Sequence, residues 1–558
     1  MQEVTTSQYE QERRQKLQKL RDLGVDPFGG RVDGVEPLAA IKSRYRPEMD
    51  HDGGPVVRAA GRVMLKRDMG KLSFLTLRDE TGDLQVALDK KRLSERDWEV
   101  NTLIDLGDQI VAEGPLGTTR KGEITVWATG IRMASKALLP PPSKEYETET
   151  GEKKGGFSDV ELRYRQRYVD LWANPEVMKL LKLRIRIVDE VRAFMRNKGY
   201  IEVETPMLQL LHGGAAARPF VTHHNALDIP LYLRIAPELF LKRLLVGGFS
   251  KVFEINRNFR NEGISPRHNP EFTMLEAYEA YGSWETMADL VEEMICHVAQ
   301  TVLGTLKIEH RNSAGEVTKT INLERPWRRV RMAELVEERT GWRFEKTKGL
   351  THEQAGLIAE IFATQYADRF LARQKATFGT PQDFHLRRLD EDANAYMRRV
   401  IGEAGFRQMQ IEAKENVTRF FALSPAEQLV EVYEKLVEPI LIDPSFVTHV
   451  PSVAIPLARK DREDPYFADV YELAINGQEI SPGYSELNDP DVQRDQFTHQ
   501  VGDKEEQQKV DEDFLNALRY GMPPAGGMGL GIDRLVMMLT GAESIRDVIL
   551  FPLMKPQE

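Results

Sequence analysis

Asn476 and Gly477 are the sequence feature that most limits how this chain folds. They separate two segments in which apolar and polar residues alternate, and an Asn-Gly pair in that setting is the strongest short signal for a type I′ hairpin turn. Pairing outward from the turn sets Glu479 opposite Ala474, and Glu472 lies two residues further along the same face. The sequence therefore predicts an antiparallel hairpin with a diagonal pair of carboxylates.

The two carboxylates, Glu472 and Glu479, repel one another unless a proton or a cation lies between them. Mg²⁺ prefers hard oxygen ligands and commonly bridges phosphates. The pair therefore predicts a magnesium site, and the alternative is an acidic face that is only solvated.

A second feature is the stretch from Phe253 to Phe272, in which an apolar strand leads into Arg260 and Glu262. We expect the guanidinium and the carboxylate to lie side by side on this strand, with a basic loop containing His268 reaching over them. Arg260 suits a phosphate, Glu262 the donor edge of a base, and Phe272 a stacking contact. An ordinary edge hairpin with surface charges is the alternative.

The third feature is a run of glycines between Gly526 and Gly531, followed by a predicted helix with Arg534 in its first turn. Repeated glycines let a flat ligand approach the backbone, and a helix start that carries an arginine favours phosphate. Tight helix packing is the alternative for the glycines alone. Since the GxxxxGK[ST] phosphate loop and the HExxH motif are missing, the three features together predict an ATP site without a P-loop.

The N-terminal part of the chain has a different pattern. Residues 9–24 predict a charged amphipathic helix, and residues 55–137 predict about five short strands separated by turn residues. The predicted strands are Val56 to Leu65, Ser73 to Leu77, Leu84 to Leu88, Gln109 to Glu113 and Ile124 to Met133. This density is typical of a small barrel such as an OB-fold, which commonly binds single-stranded nucleic acid. Phe74 and Gln85 lie on successive strands, where one could stack on a base and the other hydrogen-bond it.

These patterns divide the chain into four parts. We expect a helical extension over residues 1–50, an OB-fold barrel over 51–140, a Pro-rich and then polar linker over 141–165, and a catalytic domain over 166–558. Within the catalytic domain, residues 343–430 read as a helix-rich insertion to which no chemical motif assigns a role.

The composition excludes several classes of protein. The net charge of −11 argues against a uniformly basic nucleic-acid binder, although local basic patches remain possible. No run of about 18 apolar residues predicts a membrane span. The single cysteine, Cys296, excludes a disulfide framework and is interpreted as structural in a helix. A cytoplasmic location is the expectation.

Together these segments resemble the class II aminoacyl-tRNA synthetases, and within that family the lysine-specific branch of bacterial type. The predicted helix and strand that end at Pro206 resemble the first motif of the family, Glu254 to Tyr281 the second, and Gly526 to Leu539 the third. Further similar stretches are Gly213 to Phe220, Arg234 to Lys242, Ser485 to Pro490 and Ile545 to Pro552. The class I signatures HIGH and KMSKS are absent.

The resemblance implies an α+β fold, in which an antiparallel sheet flanked by helices follows an N-terminal OB-fold barrel. It implies an enzyme that activates L-lysine with ATP and transfers it to tRNA(Lys), with Mg²⁺ as cofactor, and that works as a homodimer.

The resemblance also implies roles for individual residues. Arg260 and Arg534 would be catalytic. The ATP site would comprise Arg260, Glu262, His268, Asn269, Phe272, Glu472 and Arg534, with Glu472 and Glu479 holding Mg²⁺. The lysine site would comprise Gly214, Glu238, Arg260, Glu276, Tyr278, Tyr484 and Glu486. The anticodon contacts would be Phe74, Gln85 and Glu123.

The chain departs from the family pattern at Pro482 and Tyr484, where Asn (or another small polar residue) and Phe are usual. Pro482 has neither a backbone N–H nor a side-chain amide. The polar contact that the family's usual residue makes near the substrate ammonium therefore has no counterpart at this position. The carboxylates Glu276 and Glu486 suit a lysine ammonium and speak against a sister enzyme for aspartate or asparagine. Two further alternatives are a paralogue that modifies a translation factor, which would lack the barrel, and an inactive RNA-binding regulator.

Overall fold

Two units divide the chain, Met1–Lys179 and Leu180–Glu558. The computed structural model describes residues 8–49, 51–142, 146–147, 153–154, 157, 159–312, 314–351, 354, 356–357, 403, 407, 411, 415–499 and 510–557.

The first unit contains a small barrel. Its strands are β1 (Val56–Asp68), β2 (Leu72–Asp79), β3 (Gly82–Asp89), β4 (Gln109–Thr118), β5 (Ile124–Ala128) and β6 (Gly130–Ser135), followed by the two-residue pair β7 (Tyr146–Glu147) and β8 (Lys153–Lys154). Its helices are Gln8–Asp22, Leu38–Ser43, Glu95–Leu103, Val160–Arg165 and Arg167–Ala173, with a 3₁₀ turn at Pro47–Met49.

The barrel closes because β1 pairs with both β2 and β4 in the strand order β1-β2-β3-β5-β4-β6. Alternate side chains of these strands point inward and form one apolar core that also takes in Leu20, Leu38 and Ile41 from the helices. The predicted OB-fold barrel is confirmed. The predicted fifth strand is wrong in one respect, since Ile124 to Met133 is broken at Thr129 into β5 and β6.

The second unit is built on a large sheet. Its strands are β9 (Ile201–Glu202), β10 (Leu208–Gln209), β11 (Val221–His224), β12 (Ile229–Leu233), β13 (Lys251–Phe259), β14 (Glu271–Ala280), β15 (Lys307–Arg311), β16 (Val317–Asn322), β17 (Arg328–Arg331), β18 (Ser445–Thr448), β19 (Val470–Ile475), β20 (Gln478–Ser485) and β21 (Ala525–Gly531). Its helices are Pro175–Asn197, which begins before the unit boundary, Glu238–Val246, Trp284–Leu303, Met332–Thr340, Pro425–Val432, Pro490–Thr498, Glu512–Arg519, Ile532–Thr540 and Ile545–Val548. Short π and 3₁₀ turns lie at Tyr433–Val437, Glu438–Ile440 and Ser452–Ala454.

Eight of these strands form one sheet in the order β17-β18-β19-β20-β21-β14-β13-β9. All neighbours are antiparallel except β17–β18 and β9–β13. One face of the sheet packs against the helices Trp284–Leu303 and Ile532–Thr540 in the main apolar core. The predicted antiparallel sheet flanked by helices is therefore confirmed, and part of its other face packs against the helix Glu238–Val246 through Val252 and Tyr278.

The hairpin of β19 and β20 has the predicted turn. Asn476 and Gly477 both have positive φ angles, 59° and 72°, as a type I′ turn requires. Glu479 pairs with Ala474 as predicted, but the register then shifts, so that Glu472 pairs with Pro482. One extra residue in β20 therefore forms a β-bulge beside the turn.

Two further expectations change in the second unit. Strand β13 ends at Phe259, so Arg260 and Glu262 lie in the loop that follows and not on the strand. The helix-rich reading of residues 343–430 falls largely outside the described residues; within the described part, a helix covers Pro425–Val432.

Candidate active site

Arg260 lies where β13 gives way to its loop. Its backbone N–H donates to Pro270 O at 2.9 Å, which ties the loop back onto the start of β14. The guanidinium lies 5.1 Å from the centre of the Phe272 ring. Its Nε is buried and has no hydrogen-bond partner among the described residues. A buried donor of this kind is normally satisfied, so Arg260 is prepared for an anionic ligand.

Arg534, in the first turn of Ile532–Thr540, faces the same loop. It donates through Nη1 to Glu479 O at 2.8 Å, and its Nη2 lies 3.3 Å from His268 Nε2. Burial is the largest cause that lowers the pKa of His268 below its ordinary value, and the positive charges of Arg534 and Arg267 lower it further. A neutral imidazole can accept the hydrogen bond from Arg534, so the two side chains are compatible at neutral pH.

These residues line one cavity between the β13–β14 loop, the end of β21 and the start of Ile532–Thr540. Its walls include seven of the residues predicted for ATP and metal binding on sequence grounds, namely Arg260, Glu262, His268, Asn269, Phe272, Glu479 and Arg534. Buried Asn269 Oδ1 also has no hydrogen-bond partner in the described part of the chain. Two arginines and an aromatic ring around one cavity suit a nucleotide with phosphates.

Carboxylates gather beside this cavity. Burial, then Glu479, Glu434 and Glu438, raise the pKa of Glu472, and burial raises the pKa of Glu434 to about 7. Glu438 accepts a hydrogen bond from the backbone N–H of Glu479. Glu434 and Glu438 were not predicted from the sequence, because the fold brings them to the hairpin from a segment more than thirty residues earlier.

Directly beside the hairpin, strand β21 pairs with β20 and provides, through its glycines, a floor without side chains. Gly527 pairs with Tyr278 on one side and with Tyr484 on the other. A Cβ at Gly527 would lie 1.9 Å from Glu486 Oε1 and 2.6 Å from the Tyr278 ring. Only glycine fits at position 527, so the glycines of β21 leave this face of the strand open above the backbone.

Acidic side chains surround this floor. Glu238, Glu276 and Glu486 are 7%, 5% and 2% exposed, and Tyr278 donates to Glu276 Oε2 at 3.2 Å. Burial, followed by Glu238, raises the pKa of Glu276 to about 8, and burial raises that of Glu486 to about 7. Buried carboxylates need a cation or a proton, so the pocket is electrostatically prepared for an ammonium group.

Gly214 closes the pocket from above. Its φ is +88°, and a Cβ there would lie 3.0 Å from Glu238 Cβ and 3.1 Å from Ala236 Cβ. The backbone thus approaches the start of Glu238–Val246 at a position that disfavours any side chain.

The pocket also contains a residue that the sequence analysis did not assign. Lys242 is 0% exposed, and its Nζ lies 2.7 Å from Glu238 Oε1 and 2.5 Å from Glu486 Oε2. The Glu238–Lys242 spacing of i, i+4 on a helix was the available signal. All of the predicted lysine-site residues except Arg260 thus share one pocket, next to the cavity that Arg260 lines.

In the barrel, Phe74 and Gln85 lie on the paired strands β2 and β3. Phe74 pairs with Ala87 and Thr76 pairs with Gln85, so the two predicted side chains are diagonal neighbours on one face. Phe74 also contacts the Trp127 ring edge-on at a centroid distance of 6.4 Å. Glu123 is exposed in the turn before β5.

Comparisons with known proteins agree with this geometry. The family described as tRNA synthetases class II (D, K and N) matches residues 159–555, and an OB-fold nucleic acid binding domain matches residues 57–134. The chain belongs to the class II aminoacyl-tRNA synthetases. The resemblance inferred from the motifs is confirmed.

Proteins of similar sequence align with the synthetase over nearly its whole length. A lysine–tRNA ligase of Carboxydothermus hydrogenoformans is 43% identical over 98% of both chains. One of Pelotomaculum thermopropionicum is 44% identical over 98% of this chain and 94% of its own. One of Bacillus subtilis is 41% identical over 98% of this chain and 97% of its own.

Neither a membrane-spanning helix nor a three-ligand metal site is found among the residues that the structure describes. Among the helices that the structure describes, none is long and apolar enough to cross a membrane. Over the same residues, no group of three acidic, histidine or cysteine side chains could hold a metal ion by itself.

Proposed function

We propose that this synthetase is a lysine–tRNA ligase, which activates L-lysine with ATP and transfers it to the 3′ end of tRNA(Lys). The observation that carries the proposal is the pocket over Gly527, where Glu486 Oε1 is buried without a hydrogen-bond partner among the described residues. A lysine ammonium offers three donors and one positive charge. An aspartate or asparagine side chain would need donors from the protein, and the pocket offers carboxylates.

In this proposal the two ends of the substrate bind at different places. Glu238 and Gly214 meet the α-amino group, while Glu276, Tyr278, Tyr484 and Glu486 surround the side chain. Pro482 stays next to the floor, with its ring 3.7 Å from a Cβ position on Gly529, and contributes apolar contact in place of an amide. Arg260 lies between this pocket and the nucleotide cavity and binds the carboxylate of lysine and the α-phosphate of ATP.

The ATP cavity takes the nucleotide by the contacts inferred for it. Phe272 and Arg534 lie on the two faces of the adenine, Glu262 and Asn269 accept or donate along the nucleotide, and His268 supports Arg534. Arg260, at the α-phosphate, stabilises the charge that develops during transfer.

Glu472 and Glu479 fit Mg²⁺, although no larger protein cage is present in the described residues. Mg²⁺ in nucleotide sites is usually held by one or two carboxylates together with phosphates and water, and the raised pKa of Glu472 marks a site that a cation would stabilise. When bound, the ion would neutralise phosphate charge and help pyrophosphate to leave.

The reaction then needs positioning more than acid–base chemistry. The lysine carboxylate, already ionised at neutral pH, attacks the α-phosphorus of ATP in line, and pyrophosphate leaves with the electron pair of the broken P–O bond. A ribose hydroxyl at the tRNA 3′ end next attacks the carbonyl carbon of the adenylate. The hydroxyl releases its proton to solvent, and AMP leaves with the electron pair of the broken C–O bond. Arg260 contributes by holding both reacting groups of the first step.

The remaining contacts concern macromolecules. Phe74, Gln85 and Glu123 are proposed to read the anticodon, which is supported by the partly exposed aromatic ring and the neighbouring amide on one face of the barrel. A homodimer is supported by exposed apolar side chains along the first-motif region, namely Ile185, Ile201, Leu208 and Leu210. The role in protein synthesis implies a cytoplasmic location.

One assay tests the proposed function. ATP–pyrophosphate exchange is measured with the full chain and each of the twenty amino acids in turn. We expect exchange with lysine and background with the others, including aspartate and asparagine. Exchange with another amino acid but none with lysine would overturn the pocket assignment, and exchange with none would favour the inactive regulator.

The pKa values predict how lysine binding depends on pH. Glu276 and Glu486, with pKa values of about 8 and about 7, must both be ionised to pair with the ammonium. Below those values protons compete with lysine, so KM for lysine should fall by about tenfold or more as pH rises from about 6 to about 8. Exchange kinetics across this range check it, with KM for ATP as the control. A constant KM for lysine would contradict the prediction.

A further inference from the structure

Lys242 forms a buried bridge that the proposed function does not use. It projects from the helix Glu238–Val246, and its ammonium lies 2.7 Å from Glu238 Oε1, 2.5 Å from Glu486 Oε2 and 3.4 Å from Leu457 O. Burial lowers the pKa of Lys242, but Glu238 and Glu486 outweigh it, so the net shift is upward and the side chain is charged at neutral pH. A permanent cation therefore joins two carboxylates of the pocket.

The two carboxylates belong to different ends of the pocket. Glu238 lies under Gly214 at the α-amino end, where their Cβ positions would be 3.0 Å apart. Glu486 reaches over Gly527 at the side-chain end. Because one nitrogen contacts both, it fixes the distance between the two ends.

A second buried lysine shows what a purely structural bridge looks like in this chain. Lys136, in the N-terminal unit, contacts Asp105 Oδ2 at 2.7 Å and Asp108 Oδ2 at 2.8 Å. The other oxygens of those carboxylates are satisfied by Lys16 and by the backbone N–H of Ala137. Glu486 Oε1, in contrast, has no hydrogen-bond partner in the described residues. The bridge made by Lys242 thus holds one oxygen of Glu486 and leaves the other facing the floor of the pocket.

We propose that Lys242 is a positioning residue that fixes the spacing between Glu238 and Glu486 and thereby selects lysine over diamino acids of other lengths. The inference rests on the proposed function, because the substrate must carry an amino group at each end. Substrate length is read by where the carboxylates of Glu238 and Glu486 lie, and Lys242 determines their positions without touching the substrate.

The experiment compares K242M and K242R with the full wild-type chain in ATP–pyrophosphate exchange, using L-lysine and L-ornithine, which is one methylene shorter. Removal of one methylene changes kcat/KM by about 10- to 200-fold in a well-shaped site. We expect K242M to raise KM for lysine at least about 100-fold with ATP KM unchanged, and to lower the lysine-to-ornithine ratio of kcat/KM at least about tenfold.

K242R keeps the charge but changes the length and shape of the bridge. Glu486, just after β20, is faced by Lys242 and Glu238 from the helix, Tyr278 from β14 and Tyr484 from the end of β20. Since Lys242 lowers the pKa of Glu486, K242M should shift the acidic limb of the pH profile for lysine kcat/KM to higher pH. K242R should restore this limb but not the lysine-to-ornithine ratio.

K136M is the matched control, since it removes an equally buried lysine bridge outside the pocket. It should lower the melting temperature and leave both the ratio and the pH profile unchanged. An unchanged ratio in K242M and K242R would overturn the inference, as would failure of both variants to fold while K136M folds. Wild-type exchange with lysine tests the proposed function separately: its absence would overturn the function, and its presence together with an unchanged ratio would overturn only the role of Lys242.

Discussion

Replacing Arg260 by alanine is expected to lower kcat/KM for lysine-dependent ATP–pyrophosphate exchange by at least about 10³-fold, or about 4 kcal/mol of transition-state stabilisation. The loss is large because one guanidinium is proposed to hold both the attacking carboxylate and the phosphate under attack. It should appear mainly in kcat, since the charge on the α-phosphate of the transferred adenylyl group grows in the transition state.

Two companion variants separate charge from fold. R260K keeps a positive charge without the bidentate geometry and should recover only part of the activity. R257A removes a nearby arginine, on strand β13 just before the Arg260 loop, that forms an exposed pair with Glu271 at 3.5 Å, and exchange should stay close to wild type. Near-normal exchange in R260A, with folding verified by the melting temperature, would show that Arg260 does not bind the reacting groups.

The second large effect is expected from Gly527→Ala. The added methyl carbon would lie 1.9 Å from Glu486 Oε1 and 2.6 Å from the Tyr278 ring, so one or both side chains must move into the space proposed for lysine. We expect kcat/KM for lysine to fall by at least about 10²-fold. The effect on folding should be smaller, because overpacking of this kind usually lowers the free energy of unfolding by only about 1–3 kcal/mol. The nucleotide cavity is lined by other residues, so ATP binding should be retained.

Lysine and ATP affinities measured separately, by calorimetry or by substrate protection against heat, distinguish local from general damage. Gly130→Ala is a matched control, because no heavy atom lies within 4 Å of its Cβ position at the start of β6. Lysine binding by G527A at wild-type strength would place the substrate somewhere other than over the glycine floor.

The parts of the site that were predictable from the sequence depend on local rules. The Asn476–Gly477 turn follows from backbone preferences of four residues, and Arg534 follows from a glycine strand that runs into a helix. The barrel follows from short alternating segments separated by turn residues, and these local features need no information about distant segments. The antiparallel sheet was expected only because the three motifs together resemble the class II family.

The parts that were missed depend on tertiary packing. Glu434 and Glu438 reach the hairpin only through the arrangement of the chain before β18. Lys242 lies in an apolar helix where a charge would ordinarily face solvent, and its second partner, Glu486, is more than two hundred residues away. The free oxygen of Glu486 is likewise visible only when the bridge and the glycine floor are seen together.

The extra residue in β20 changes which side chains of that strand point to each face of the sheet. With strict alternation from Glu479, the side chains of Pro482, Tyr484 and Glu486 would point into the apolar core, and Ser481 and Gly483 would face the substrates. The extra residue of β20 lies opposite the step from Leu473 to Ala474 in β19 and exchanges the two faces of β20 beyond it. The residues proposed for the phosphates and for lysine therefore share one surface. An insertion or deletion of one residue in this hairpin would therefore exchange its two faces, which makes its length as important as its composition.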